Sequence, residues 1–210
     1  MRLYDYWRSS AAYRVRIALN LKGISYEQVP VNLRSGGQRT LDYTSKNPQG
    51  LVPTLEDGGA HLTQSLAIIE YLDETHPEPP LLPKEPLARA QVRAMAQLVA
   101  CEIHPLNNLR VLQRLEHRLG LDEREISSWY RHWINEGFAA LEARLKTTAG
   151  RYAFGDSVTL VDLCLVPQLY NARRYRCDLV PFPTICRVEE ACQALPAFDA
   201  ARPERQPDAA

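Results

Sequence analysis

The stretch WRSSAAYRVRIALNLKG, residues 7–23, decides how the chain folds. A β-rich start, Leu3-Tyr4-Asp5-Tyr6-Trp7, runs into the small hydroxyl residues Ser9 and Ser10. Val15, Ala18 and Leu19 follow and, flanked by Ile17 and Leu21, make a wide apolar helix face. Gly23 stands where the C′ residue of that helix belongs. A strand that hands a serine to a helix N-terminus sets a hydroxyl beside unsatisfied backbone N–H groups, where the helix dipole favours negative charge. Two roles for that serine stay open: a place to hold an anion, or simply the N-cap of the helix.

Outward from this stretch, Ile24-Ser25-Tyr26-Glu27-Gln28-Val29-Pro30-Val31 is β-rich, so the opening reads β-α-β with two parallel neighbouring strands. Residues 32–49, with Gly36-Gly37 and Asn47-Pro48, suit a mobile loop with one irregular helical turn. Leu51-Val52-Pro53-Thr54-Leu55 leads into a third strand, Asp57-Gly58-Gly59 is a hairpin turn, and His61-Leu62-Thr63 is a fourth strand. Pro53 must lie at a strand start or edge. Ser65 is placed to N-cap a helix over 66–75, which His76-Pro77 stops.

Residues 77–86 contain five prolines and read as irregular chain. A first domain therefore spans 1–80, a linker 81–86, and a second, all-helical domain 87–210. Its helical patterns cover 87–119, 122–146, 160–174 and 184–195. Pro105 predicts a break near His104, and Thr159-Leu160-Val161-Asp162 fits a capping box. The tail over 202–210, with Pro203 and Pro207, is expected to pack loosely.

With 210 residues, 45% of them hydrophobic, the chain can bury one substantial core or two small ones. Lys plus Arg equal Asp plus Glu at 25 each, so no overall pull toward nucleic acid or an anionic membrane is visible. No apolar run approaches the roughly 20 residues needed to span a bilayer, and the N-terminus lacks a signal-peptide core, so a cytoplasmic address is expected. The five cysteines form no C-x-x-C pair and are expected to be buried free thiols, with no metal site.

This order of elements resembles a cytosolic glutathione transferase, an α/β thioredoxin-like N-terminal domain followed by an all-α C-terminal domain. Arg8-Ser9-Ser10 with Arg14-Val15-Arg16-Ile17-Ala18-Leu19 is similar to the zeta class, which includes the maleylacetoacetate isomerases. So are Asn47-Pro48-Gln49-Gly50-Leu51-Val52-Pro53, Gln64-Ser65-Leu66-Ala67-Ile68-Ile69-Glu70-Tyr71-Leu72, Leu165-Val166-Pro167-Gln168 and Gln206-Pro207-Asp208. Where the class has Ser-Ser-Cys, this chain has Ser9-Ser10-Ala11. A thioredoxin-like redox role needs two thiols around residues 9–12, and none is there.

The resemblance implies glutathione as cofactor, a symmetric homodimer, and catalysis by Ser9 with Ser10 beside it. A thiol of pKa about 8.5 is mostly protonated at neutral pH, whereas the thiolate is the nucleophile. The helix dipole alone offers roughly 0.3–1 kcal/mol, under a pKa unit, so a hydroxyl donor must contribute. Gln64 and Ser65 can receive the γ-glutamyl carboxylate, and Val52, held extended before Pro53, can pair like an added strand. The resemblance adds Gln38, His104, Asn108, Leu109 and Arg110 to the glutathione site. It also points to Arg8 and Arg174 as carboxylate binders for a dianionic substrate. Arg173 and Arg176, by their place near a helix C-terminus, read as solvated helix-end charges. The activity implied is glutathione-dependent cis–trans isomerisation of maleylacetoacetate; maleylpyruvate, which shares the cis-enoic acid, is not separated from it by sequence. A general transferase is a further alternative. A non-catalytic binding module would keep the fold and lose the first-turn hydroxyl or the Gln64-Ser65 site, and both are present.

Overall fold

The computed structural model describes residues 1–209. Contacts divide the chain into two units, Met1–Pro80 with Gln193–Ala210, and Leu81–Cys192.

In the first unit β1 (Arg2–Asp5) leads through residues 6–9 into α1 (Ser10–Leu21), and β2 (Glu27–Pro30) returns parallel to β1. α1 ends as its sequence requires: Gly23 has φ +64°, and the Ile24 N–H closes onto the Leu19 carbonyl. Residues 32–49 carry the irregular helical turn expected within their loop, together with a second, tighter turn. They make a 3₁₀ turn, Gly37–Arg39, and one helical turn, α2 (Leu41–Thr44), in which Thr40 caps and Tyr43 is buried. β3 (Thr54–Asp57) and β4 (Ala60–Thr63) form the hairpin, and the sheet order is β2-β1-β3-β4. Leu51 and Val52 stay outside the third strand because Pro53 has no N–H to give the ladder, which starts at Thr54.

Strand alternation sorts the two faces of the sheet. Tyr4, Val29 and Thr54 are register partners on one face, where Tyr43 packs against Tyr4 and its hydroxyl meets Thr54 Oγ1 at 3.0 Å. Leu3 and Leu55 are partners on the other and share a fully buried core with Ala18, Leu19, Ile68 and Leu72 of α1 and α3 (Ser65–Thr75). Lys22 draws the end of α3 in, donating to Asp73 Oδ1 and to the His76 and Pro79 carbonyls.

The tail departs most from expectation. With α9 (Pro196–Ala200) and the 3₁₀ turn Pro203–Arg205, it belongs to the first unit. Ala201, Pro203 and Gln206 are buried. The physical reason is polar: Arg16, wholly buried in α1 and paired with Asp5 at 2.7 Å, donates to the Ala201 carbonyl at 3.1 Å. A buried guanidinium has five donors to satisfy, and the tail's backbone takes one.

The second unit is helical: α4 (Pro86–Gln97), a π-helical segment (Leu98–Ile103), α5 (Leu109–Leu119), α6 (Glu123–Thr148), α7 (Leu160–Arg174) and α8 (Pro183–Gln193). The break expected at His104 is present, entered through the π-helical turns. These turns press on α6 so closely that a Cβ on Gly137 would lie 2.2 Å from Ile103 Cδ1. α7 begins at the box around Asp162, whose buried carboxylate accepts from the Thr159 N–H at 2.7 Å, the Thr159 hydroxyl at 3.0 Å and the Ala153 N–H at 2.9 Å. Leu81, expected in the linker, is buried here, and its carbonyl accepts from the Leu160 N–H.

Candidate functional site

Ser9 occupies the N-cap of α1 in extended conformation, and its Oγ accepts from the Ala12 N–H at 3.2 Å. Both roles that the sequence leaves open are therefore compatible. Capping uses an acceptor lone pair and leaves the hydroxyl proton to give, and that proton meets no acceptor among the described residues. No acidic residue sits in the first turn of α1 to offset its positive end. Ser10 is the first helical residue and is buried, while Ser9 is half-buried, so Ser9 is the better placed of the pair. Arg8, also half-buried, carries its guanidinium 5.2 Å from the Trp7 ring centroid.

Ser65 differs from expectation. It is the first residue of α3 and not its cap; Gln64 holds the cap position with φ +70° and ψ 113°, and no side chain caps this helix end. A glutamine at positive φ costs of order 1–3 kcal/mol, and such strain concentrates at functional sites. The Ser65 hydroxyl is turned inward, where it accepts from Nη1 of the buried Arg14 at 3.2 Å. Its proton is left to donate, beside the uncapped first N–H groups of α3. Gln64 Nε2 donates to Gln49 Oε1 at 2.8 Å, which ties this end of α3 to the loop before β3.

That loop is braced from below. The Leu51 carbonyl accepts from the Tyr43 hydroxyl at 2.6 Å and from Asn47 Nδ2 at 2.7 Å. Burial pushes the Tyr43 phenol above its ordinary value, so it stays a protonated donor. Gly50 has φ +61°, and a Cβ there would stand 3.0 Å from the Gln38 carbonyl, so the turn carrying Gln38 lies directly against it. Gln38 Oε1 is buried with no partner among the described residues. The Val52–Pro53 peptide is cis, and the backbone N–H and C=O of Val52 make no hydrogen bond among the described residues. Gln38, Val52, Pro53, Gln64 and Ser65 thus stand in one connected network. Arg14 and Gln49, which hold two of them, were not singled out by sequence. Gln49 was visible only as part of Asn47-Pro48-Gln49-Gly50, and Arg14 only as part of the family stretch Arg14-Val15-Arg16-Ile17-Ala18-Leu19.

In the second unit, Asn108 is the N-cap of α5, its side chain accepting from the Arg110 N–H at 3.2 Å. Leu109 and Arg110 are exposed in the first turn, and half-buried His104 follows the π-helical segment, its N–H on the Val99 carbonyl. Arg174 ends α7, exposed; its guanidinium lies 4.8 Å from the Tyr175 ring centroid and donates to the Tyr175 hydroxyl at 3.1 Å. Tyr175 is in turn stacked on Tyr130 at 3.5 Å and 8°. No carboxylate pairs with Arg174 among the described residues. Arg173 is an exposed helix-end charge as expected, and it also pairs with buried Glu189, which raises the guanidinium pKa further. Arg176 is exposed, with φ +54°.

All five cysteines are free, and Cys101 is exposed rather than buried. Burial pushes the Cys177 thiol up to about 11 and raises Cys186 and Cys192. None of these three has the electropositive, accessible setting of a reactive thiol.

Against known proteins, residues 3–80 match the family of the glutathione S-transferase N-terminal domain and residues 134–200 that of the C-terminal domain. A probable maleylacetoacetate isomerase of Vibrio cholerae is 54% identical, over 99% of this chain and 97% of its own. A holo maleyl pyruvate isomerase, described as a bacterial zeta-class glutathione S-transferase, superposes with a TM-score of 0.98 at 48% identity, covering both chains fully. A maleylacetoacetate isomerase of Methylobacterium extorquens, solved with malonate and glutathione bound, gives a TM-score of 0.96 at 46% identity, also over both full chains. With an uncapped α3, an unpaired Val52 backbone and a serine at the head of α1, the chain belongs to the glutathione S-transferase family, in its zeta class.

Proposed function

We propose that the protein is a cytoplasmic, homodimeric, glutathione-dependent cis–trans isomerase that converts maleylacetoacetate to fumarylacetoacetate. The observation that carries this reading is the Ser9 hydroxyl, whose lone pair is used by the Ala12 N–H while its proton is free at the positive end of α1. The residues of the first unit fit glutathione. Ser65 and the uncapped N–H groups of α3 suit a carboxylate, the Val52 backbone suits an extended peptide, and Gln38 Oε1 and Gln64 offer polar groups beside it.

Bound glutathione supplies the thiolate, which adds to the cis double bond, leaves a single bond free to rotate, and is expelled to give the trans product. Ser9 donates its proton in a hydrogen bond that favours the thiolate, and the α1 dipole adds to it. Accepting the Ala12 N–H makes the hydroxyl a better donor, because hydrogen bonds in series polarise one another. Arg8 and Arg174 are the residues proposed to bind the substrate carboxylates; for Arg174 the support is a fork of donors held on Tyr175 with no carboxylate of its own. For His104, Asn108, Leu109 and Arg110 the contribution to glutathione binding rests on the family pattern, and Asn108 already serves as a cap.

The high likeness to a maleyl pyruvate isomerase favours maleylpyruvate as the second reading. Comparing kcat/KM on the two cis-enoic acids, with glutathione recovered unchanged, distinguishes them. Consumption of glutathione by simple electrophiles without any isomerisation would instead make the protein a general transferase.

A further inference from the structure

We propose that Asp208 is a positioning residue for the turn that presents Arg8 and Ser9, the last link of a clamp that the tail builds on the junction of β1 and α1. The inference rests on the reading of Ser9 given above, and Asp208 is not placed against substrate or glutathione.

The junction is short: β1 ends at Asp5 and α1 starts at Ser10. Within it the Ser9 N–H is bound to the Tyr6 carbonyl at 2.8 Å. Side chains from outside the turn hold both backbone polar groups of Trp7. Its N–H donates to Asp208 Oδ2 at 3.0 Å, and its C=O accepts from Arg16 Nη2 at 2.9 Å. Arg16 is fixed in turn by both oxygens of Asp5 and by the Ala201 carbonyl. Gln206, buried, ties the tail to the same group of residues. Its Oε1 accepts from Gln28 Nε2 at 2.9 Å, and Gln28 also reaches Asp5 Oδ2 at 3.1 Å. Its Nε2 donates to the Ala200 and Arg202 carbonyls.

A tail serving only to cover apolar surface would end on a core face. This one ends with a carboxylate on the backbone amide two residues before Ser9. Freeing the Trp7 amide lets the peptide planes of the turn rotate, and Ser9 Oγ and the Arg8 guanidinium move with them. Donor geometry at a reacting sulfur tolerates little of this, since a shift of about 1 Å can cost ~100-fold in rate.

The test compares Asp208→Ala with Asp208→Asn, which keeps a carbonyl acceptor for the Trp7 N–H, and runs Ser9→Ala alongside. Without glutathione, amide exchange at Trp7 is measured; with it, the pKa of the bound thiol by thiolate absorbance, kcat, glutathione affinity and melting temperature. Asp208→Ala is expected to speed exchange at Trp7, raise the thiol pKa and lower kcat roughly tenfold, with glutathione affinity within about twofold. Asp208→Asn is expected to restore most of each. Should Asp208→Ala not fold, Gln206→Ala loosens the tail without touching Asp208 and is read the same way. A variant that melts earlier but keeps the wild-type thiol pKa and kcat makes the tail merely structural and overturns the proposal. If Asp208→Ala shifts the thiol pKa and Ser9→Ala does not, the clamp stands and acts through Ser10 or the helix end. If neither shifts it, both readings fall.

Discussion

Arg14 Nη1 donates to the Ser65 hydroxyl at 3.2 Å, joining the buried face of α1 to the first residue of α3 across 51 positions of sequence. The bond commits a Ser65 lone pair inward and turns its proton outward, while a buried positive charge stands behind it. Ser65→Ala is expected to weaken glutathione binding by roughly 1.5–3 kcal/mol, the scale of a hydrogen bond to a charged group. Arg14→Met is expected to weaken it too, and in calorimetry the double variant should lose less than the sum of the two singles. Strict additivity would show that Arg14 does not act through Ser65.

Because Ser9 both caps α1 and offers a proton, its two duties can be separated by choice of substitution. Ser9→Ala loses cap and donor, at a stability cost of about 1 kcal/mol, whereas glycine at an N-cap costs only a few tenths. Both variants are expected to raise the bound thiol pKa and lower turnover equally, with only alanine lowering the melting temperature measurably. Turnover that followed stability and not the hydroxyl would return Ser9 to a simple cap.

The two adjacent arginines at the end of α7 should part company. Arg174→Met is expected to damage turnover of dianionic cis-enoic acids and to spare conjugation of a neutral aryl chloride, with little change in stability, because this exposed side chain pairs with no carboxylate among the described residues. If KM rises alone, the arginine binds ground and transition states alike; if kcat falls as well, it stabilises charge that develops on addition. Arg173→Met is expected to do the reverse, destabilising by about 1–3 kcal/mol as buried Glu189 loses its partner, with substrate preference unchanged.

Thiol chemistry gives a fourth check. At pH 8 only Cys101 is expected to react quickly with an aromatic disulfide reagent, and Cys101→Ser should abolish the fast phase. The same burial makes stability depend on pH. The Cys177 thiol titrates near 9 when unfolded and at about 11 in the fold, so the contribution is complete below pH 9 and is lost as pH rises toward 11. Denaturant midpoints that stay flat from pH 9 to 11 would contradict it.

Elements whose signals are local were legible in the sequence. The β-α-β opening, the Gly23 stop, the bounds of α7 and the Asp162 box all follow from periodicity and capping chemistry within a few residues. What escaped depends on partners distant along the chain. Arg14 and Arg16 entered only as part of a family stretch with no structural role, because nothing nearby announces that each is buried against a hydroxyl or a carboxylate. Ser65 read as a cap since it is the commonest residue type for one, yet the strained Gln64 takes that place. The tail read as loose because proline and charge suppress periodicity, while its anchoring is by single hydrogen bonds to backbone groups.

The tail's attachment also sets when the first unit can be finished during synthesis. Arg16 waits for the Ala201 carbonyl, 185 residues later, and the Trp7 amide for Asp208, 201 residues later. At about 5–20 residues per second, the helical unit between them takes on the order of 5–25 s to be made. Through that interval the nascent β1–α1 junction carries a buried-type guanidinium with part of its partners still missing. A ribosome-bound chain stalled before residue 193 should therefore hold a formed sheet with an unset serine turn, and the capacity to activate glutathione should arrive only once Ala201 and Asp208 have emerged.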